Sequence, residues 1–314
     1  MQPSLHKAEH PLVLFANALG DHLLTLPALR ALAQLFPGRL RLLGLSENLG
    51  PFFQDIPFHS VLPLTVTKVL PGHGIEFDVE RAAEAIGDCD CFMSLVPWHT
   101  ASVDKLLGRL STPRTVGFFD GFSTVLPLDY GKHSSDMAFD LPRHFDPSLS
   151  IQDFSQPPKA PPLDRIRALT KGYRILVVHA DTQPVKMWEW QRFEAVLRRF
   201  FAAHNDFLGL LIGLTNAAVD PAPLAGSLIP CLDVPIPDTL AMIEMADLYI
   251  GVDSCFLHAA DLYRVPGVGL FGPTSEKEFG FRFGPHRHIR GNGSMKEIAE
   301  DGVLSALNEL ACSP

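Results

Sequence analysis

The hydrophobic and polar positions of the chain repeat one pattern: a short unbroken apolar run, a polar loop carrying Gly, then an apolar stripe at helical spacing. Residues 11–15, PLVLF, form such a run and predict a buried strand. The loop Ala16–Gly20 follows. From Asp21 to Phe36, the residues Leu23, Leu26, Leu29, Leu32 and Leu35 mark one face of a helix. Asp21 stands where an N-cap is expected, and Pro37-Gly38 ends the element. Leu40–Leu45 is apolar again, which completes a β-loop-α-β unit, the building block of a parallel sheet. Cys91–Val96 and Thr115–Phe119 predict further strands.

The rhythm breaks over Asp146–Pro162, rich in Pro, Ser and Gln, where four prolines fall in six residues and disfavour helix or central strand. An interdomain linker is expected there. The pattern then restarts. Strands are predicted at Arg174–His179, Phe207–Ile212, Leu248–Val252 and Val268–Phe271, and helices at Trp188–His204, Pro237–Ala246 and Cys255–Tyr263. The resulting expectation is two α/β domains, residues 1–158 and 159–314, with a cleft between them and the last helix placed to pack back on the first domain. Ligands of open α/β sheets bind beyond the carboxyl ends of the strands.

Composition narrows the function classes. The net charge is −9, and neither half is basic: residues 1–160 hold 12 Lys and Arg against 17 Asp and Glu, the remainder 14 against 18. This argues against nucleic acid and against tight binding to an anionic membrane. No apolar run approaches the ~20 residues of a membrane span. The first ten residues lack the pattern of a signal peptide, so a cytoplasmic protein is expected, with at most peripheral membrane contact. The five cysteines include no C-x-x-C pair, which disfavours a zinc or disulfide framework.

Three constellations carry candidate chemistry, each at the predicted mouth of a strand. In Asn17-Ala-Leu-Gly20-Asp21-His22, the Asp21 carboxylate can take a proton from an acceptor hydroxyl or simply cap its helix. In His179-Ala-Asp-Thr182-Gln-Pro-Val-Lys186-Met-Trp188, a hydroxyl, an ammonium and free N–H groups at a helix start can hold a diphosphate. In Gly251-Val-Asp253-Ser254-Cys-Phe-Leu-His258, Ser254 and His258 lie at i,i+4 and share a face. Gly272-Pro-Thr274-Ser275 repeats the theme at the next strand end. Asp88-Cys-Asp90 has the form of a metal motif but precedes a predicted strand and is read as surface.

Taken together, GDHLLTLPALRAL, VVHADTQPVKMW, and the run from IGVDSCFLHAADL to VGLFGPTS resemble glycosyltransferase family 9, the ADP-heptose:lipopolysaccharide heptosyltransferases. The similarity spans nearly the whole chain, in order. It implies a GT-B fold of two Rossmann-like domains, the first binding acceptor and the second nucleotide sugar, and an inverting, metal-independent transfer with no cofactor. By this resemblance Asp21 is the general base and Lys186 and Thr182 hold the donor diphosphate. Asp253, Ser254 and His258 bind donor sugar and phosphate, with Gly272 and Thr274 beside them. Asn17 and His22 fall on the acceptor side. The implied donor is ADP-heptose or a close relative, and the implied acceptor is a lipopolysaccharide core sugar, a protein or a small metabolite.

Two positions depart from the family pattern. Cys255 stands where the family has Gly and narrows the approach to the donor; it is read as a small packing residue. The stretch LPLTVTKVLPGHG offers Lys68 alone where the family carries a basic run, so any acceptor phosphate is sought at Lys132, His133, Arg143 and His144. The competing readings are a GT-B nucleotide-sugar epimerase or hydrolase, because fold does not fix reaction, and a non-catalytic sugar-nucleotide-binding protein.

Overall fold

The computed structural model describes residues 7–45, 52–70 and 74–312. The chain divides into two compact units, Met1–Gln156 and Pro157–Pro314.

The first unit runs β1 (Pro11–Phe15), α1 (Leu19–Leu35), β2 (Arg41–Gly44), β3 (Ser60–Pro63), β4 (Val66–Val69), β5 (Ile75–Phe77), α2 (Val79–Ile86), β6 (Cys91–Ser94), α3 (Ala101–Leu110), β7 (Thr115–Gly117), β8 (Thr124–Val125) and α4 (Ser134–Phe145). Six of these strands form a parallel sheet in the order β3-β2-β1-β6-β7-β8; β4 and β5 make a separate antiparallel hairpin. Every residue of β1 and β6 is buried, as a parallel strand covered on both faces requires. Leu12, Leu14, Leu43 and Phe92 meet Ala82 and Ile86 of α2 and Val103 and Leu106 of α3 in one core.

Helix α1 is apolar nearly all round and buries eleven residues, because it packs on α4 and on a 3-10 turn at Ile151–Phe154. That turn lies inside the Pro- and Ser-rich stretch expected to be a bare linker; Ile151 and Phe154 are buried and anchor its first part. The start of α1 also differs from the expectation. Ala18 is the N-cap, and Asp21 sits in the first turn, where a carboxylate still favours the positive helix end.

The second unit repeats the plan. It comprises α5 (Asp164–Leu169), β9 (Arg174–His179), α6 (Trp190–Ala203), β10 (Phe207–Gly213), β11 (Leu228–Leu232), α7 (Ile236–Glu244), β12 (Leu248–Val252), α8 (Cys255–Leu262), β13 (Gly267–Phe271), α9 (Glu276–Phe279), β14 (His286–Arg290) and α10 (Glu300–Ala311). The parallel sheet has the order β11-β10-β9-β12-β13-β14. Phe193, Val196, Leu197 and Phe200 of α6 pack with Leu176, Val178, Ile250 and Leu270. Burying each such phenylalanine contributes roughly 1.5–3 kcal/mol. The last helix, α10, packs on α6 and on β12, β13 and β14.

In each sheet the strand order reverses once, between β1 and β6 in the first and between β9 and β12 in the second. Such reversals splay the following loops apart and create the crevice in which open parallel sheets bind ligands. Among the described residues, no helix is long and apolar enough to cross a membrane.

Candidate functional site

At the reversal of the second sheet, β9 and β12 run side by side with Gly251 opposite His179. The loop after β9 carries Thr182 and Lys186; the residue after β12 is Asp253. Lys186 Nζ donates to Asp253 Oδ2 at 2.8 Å, and Thr182 Oγ1 donates to the Asp253 carbonyl at 3.4 Å. His258, one turn into α8, brings Nε2 to 3.9 Å from Asp253 Oδ1. The Asp253 side chain is 5% exposed and that of Lys186 24%. The carboxylate is therefore desolvated and compensated, while the ammonium keeps one side open to solvent. A lysine held this way can turn to an incoming anion, because its three donors are not used up by one carboxylate.

Other groups surround this cluster. Ser254 is the N-cap residue of α8, and its hydroxyl shares a 3.0 Å hydrogen bond with Nδ1 of His179. Burial pushes the His179 imidazole down to about 3, so it is neutral. Asn216 Nδ2 donates to Asp181 Oδ1 at 2.8 Å and ties the loop after β10 to the loop after β9. In α9, burial and then the nearby charge of Asp253 push Glu278 up from the ordinary carboxylate value. The Thr274 hydroxyl, after β13, is buried and has no hydrogen-bond partner among the described residues. Gly272 is a packing position: a Cβ there would stand 2.6 Å from the Met295 amide nitrogen and 2.8 Å from its sulfur. Asp261, buried in α8, accepts from the amides of Arg282, Phe283 and Gly284 at 2.9, 2.7 and 2.8 Å and fixes the chain beyond α9. A cavity of about 370 Å³ bounded by Trp188, Trp190 and Met295 includes none of the clustered side chains.

The reversal of the first sheet is bridged in the same manner. Trp98 Nε1, after β6, donates to Asn17 Oδ1, after β1, at 2.8 Å, and both residues are buried. Asp21 is half-buried in the first turn of α1. Its own carbonyl accepts from Thr25 Oγ1 at 2.6 Å. His22 is buried, stacks on Phe53 at 5.3 Å and has Nδ1 2.9 Å from the Ala18 carbonyl. Burial lowers its pKa, the carbonyl contact acting the other way. His22 is thus a packed residue that shapes the loop from behind. His99 follows Trp98 and pairs through Nε2 with Asp104 Oδ1 at 2.7 Å.

The structure therefore assembles Thr182, Lys186, Asp253, Ser254 and His258 at one strand junction, and Asn17, Asp21 and His22 at another. Lys132 and Arg143 gather around Asp140 instead, at 2.7 and 3.9 Å, so each cation already has a carboxylate. Asp90 accepts from the Glu9 and His10 amides at 2.7 and 3.0 Å, which gives the Asp88-Cys-Asp90 segment a structural use. Among the described residues no cluster of three or more His, Cys, Asp or Glu could hold a metal. Sequence reasoning missed Trp98, His99, Asn216, Asp261 and Glu278 as site neighbours. Of these, Trp98 and His99 had a signal, since they follow a predicted strand.

Two six-stranded parallel sheets, each reversing once and each with its polar residues at that reversal, define the GT-B fold of two Rossmann-like units. Solved glycosyltransferases share it. A family 9 glycosyl transferase from Veillonella parvula DSM 2008 superposes with a TM-score of 0.75 at 18% identity, over 96% of this chain and 97% of that one. The E. coli ADP-heptose lipopolysaccharide heptosyltransferase II gives 0.69 at 16% identity, over 96% and 98%. The E. coli heptosyltransferase WaaC with ADP gives 0.67 at 15%, over 96% and 99%. No protein-family model and no curated protein matches the sequence.

Proposed function

We propose that this chain is an inverting, metal-independent glycosyltransferase that moves a heptose or related sugar from an ADP-linked donor to an acceptor hydroxyl. The observation that carries the reading is the Lys186–Asp253–His258 cluster with Thr182 at the β9/β12 reversal. There the Lys186 ammonium and the Thr182 hydroxyl meet the leaving diphosphate and stabilise its developing charge. Asp253 orients Lys186 in the free enzyme and accepts hydroxyl groups of the donor once the lysine turns to phosphate. His258 supports Asp253 from behind, and the Thr274 hydroxyl, which has no partner among the described residues, is available to the ligand. A lysine and helix N-terminal amides supply the positive charge that a cation supplies elsewhere. The likeness to the family 9 and heptosyltransferase structures supports the choice of reaction and donor.

In the first unit Asp21 acts as the general base for the acceptor hydroxyl, with Asn17 and His22 shaping its loop. Proton removal by a placed carboxylate is worth about 10²–10⁴ in rate. Asp21→Ala should therefore lower transfer from ADP-heptose to deacylated lipopolysaccharide core, followed as ADP release, by at least about 10²-fold. ADP affinity should stay near wild type. Full activity in that variant would remove Asp21 from the chemistry. Wild-type consumption of ADP-heptose with no acceptor present would favour a hydrolase or epimerase instead.

A further inference from the structure

The carboxyl ends of β6 and β7 carry side chains that the transferase reading leaves unused. After β6 the chain is tied down on both sides of His99. Trp98 Nε1 donates to Asn17 Oδ1 at 2.8 Å, and Thr100 Oγ1 donates to the Ile75 carbonyl at 3.0 Å. His99 Nε2 lies 2.7 Å from Asp104 Oδ1; a carboxylate only accepts, so this nitrogen carries the proton. Nδ1 is buried and has no partner among the described residues, which leaves Asp104 as the partner of the ring. Two phenylalanines after β7 hold the imidazole in place. Phe119 tilts against it with ring centroids 5.4 Å apart, and Phe122 stands edge-on at 6.2 Å. The loop between them passes the same carboxylate: Gly121 has φ +99°, and a Cβ there would stand 3.5 Å from Asp104 Oδ1.

The carboxylate so fixed faces outward. Asp104 lies in the first turn of α3, and its side chain is 60% exposed. Among the described residues it has no Lys or Arg partner, and no donor is bonded to Oδ2. A carboxylate oxygen held in one place accepts hydroxyl groups. The half-buried Phe119 ring beside it offers an apolar face. Hydroxyl acceptors next to an aromatic face suit a sugar ring. A phosphate there would meet a like charge with no Lys or Arg partner to offset it. The cations expected to receive an acceptor phosphate, Lys132 and Arg143, are engaged by Asp140.

We propose that Asp104, oriented by His99 and flanked by Phe119, binds the acceptor as a neutral, hydroxyl-rich ring and selects against a phosphorylated one. The proposal rests on the transferase reading above and names the class of acceptor that reading leaves open. Asp104 and Phe119 touch the sugar. His99 is a positioning residue that acts through Asp104.

The test is saturation-transfer NMR on the full chain with saturating ADP. The probes are the methyl glycosides of glucose, galactose and mannose, each beside its 6-phosphate. At least one neutral glycoside should bind, and its phosphate should bind at least about fivefold more weakly. Asp104→Ala should weaken that glycoside by at least about tenfold and Phe119→Ala by about fivefold. His99→Ala frees the carboxylate and should cost about threefold or more. His99→Gln, whose amide can still donate to Asp104, should stay within about twofold of wild type. Near-ultraviolet circular dichroism checks that each variant is folded. A wild type that binds none of the neutral glycosides, or binds the phosphates more tightly, overturns the proposal, and so does an Asp104→Ala variant that binds them as the wild type does. His99→Gln as weak as His99→Ala would remove the positioning role. Calorimetric titration with ADP separates this from the transferase reading: a wild type that binds ADP but no sugar sinks the acceptor inference alone, and one that binds no nucleoside diphosphate sinks the transferase reading with it.

Discussion

At Cys255 the sulfur occupies the first helical position of α8, beside its own N–H and that of Phe256. Proximity to amides lowers a thiol pKa, but burial opposes it and wins, pushing this one up to about 12. The thiol is then protonated and unreactive at neutral pH, a packing group at the edge of the proposed donor site. Native protein treated with iodoacetamide near about pH 8 should be modified at the exposed Cys312 and spared at Cys255, as read by peptide mass spectrometry. Labelling of Cys255 as fast as Cys312 would show an activated thiol instead. Residues of this kind mark how far the sequence could be read. Lys186, Asp253 and His258 were legible because each lies in the loop or first helical turn that follows a strand, so the topology brings them together. The His179–Ser254 and Asn17–Trp98 pairs were not, since their partners lie 75 and 81 residues apart and depend on which strands become neighbours. Asp21 was placed correctly near the helix start but not as its cap, because helix ends shift by a residue or two without changing the hydrophobic stripe.

The central elements announce themselves through burial. β1, β9, β12 and β13 are covered on both faces, so they read as unbroken apolar runs. The edge elements do not. β4 is exposed at every residue, and β14, HRHIR, carries two histidines and two arginines at the margin of its sheet. Charge on an edge strand prevents pairing with other chains and also erases the hydrophobic signal. Between these extremes lie turns whose purpose is packing. Gly272 follows β13 in a segment expected to touch the donor, yet the space a side chain would need there is filled by the Met295 backbone. Gly272→Ala should therefore destabilise the chain by about 1–3 kcal/mol in urea unfolding, through overpacking against an atom that cannot rotate away. ADP affinity of the folded fraction should change little. Unchanged stability with a large loss of ADP affinity would make Gly272 a ligand contact.

For the molecule as a whole, one plan is used twice. Each unit is a parallel sheet that reverses at its centre, and each reversal is bridged by polar side chains from the two diverging loops. The bridges differ in chemistry. The first pairs an amide with an indole, both buried. The second pairs an ammonium with a buried carboxylate, a setting that an anion can enter by recruiting the lysine. That difference, and not the fold alone, supports the proposed placement of the sugar diphosphate in the second unit. Calorimetric titration of the wild type and Lys186→Gln with ADP, UDP and GDP tests it most directly. Gln keeps a donor for Asp253 and so avoids leaving a buried carboxylate unpaired, a loss worth about 3–5 kcal/mol. The account predicts that the wild type binds ADP in preference to UDP and GDP, and that Lys186→Gln, still folded, binds it at least about tenfold more weakly. A wild type that binds none of the three, or a variant that binds ADP as well as the wild type, would contradict it.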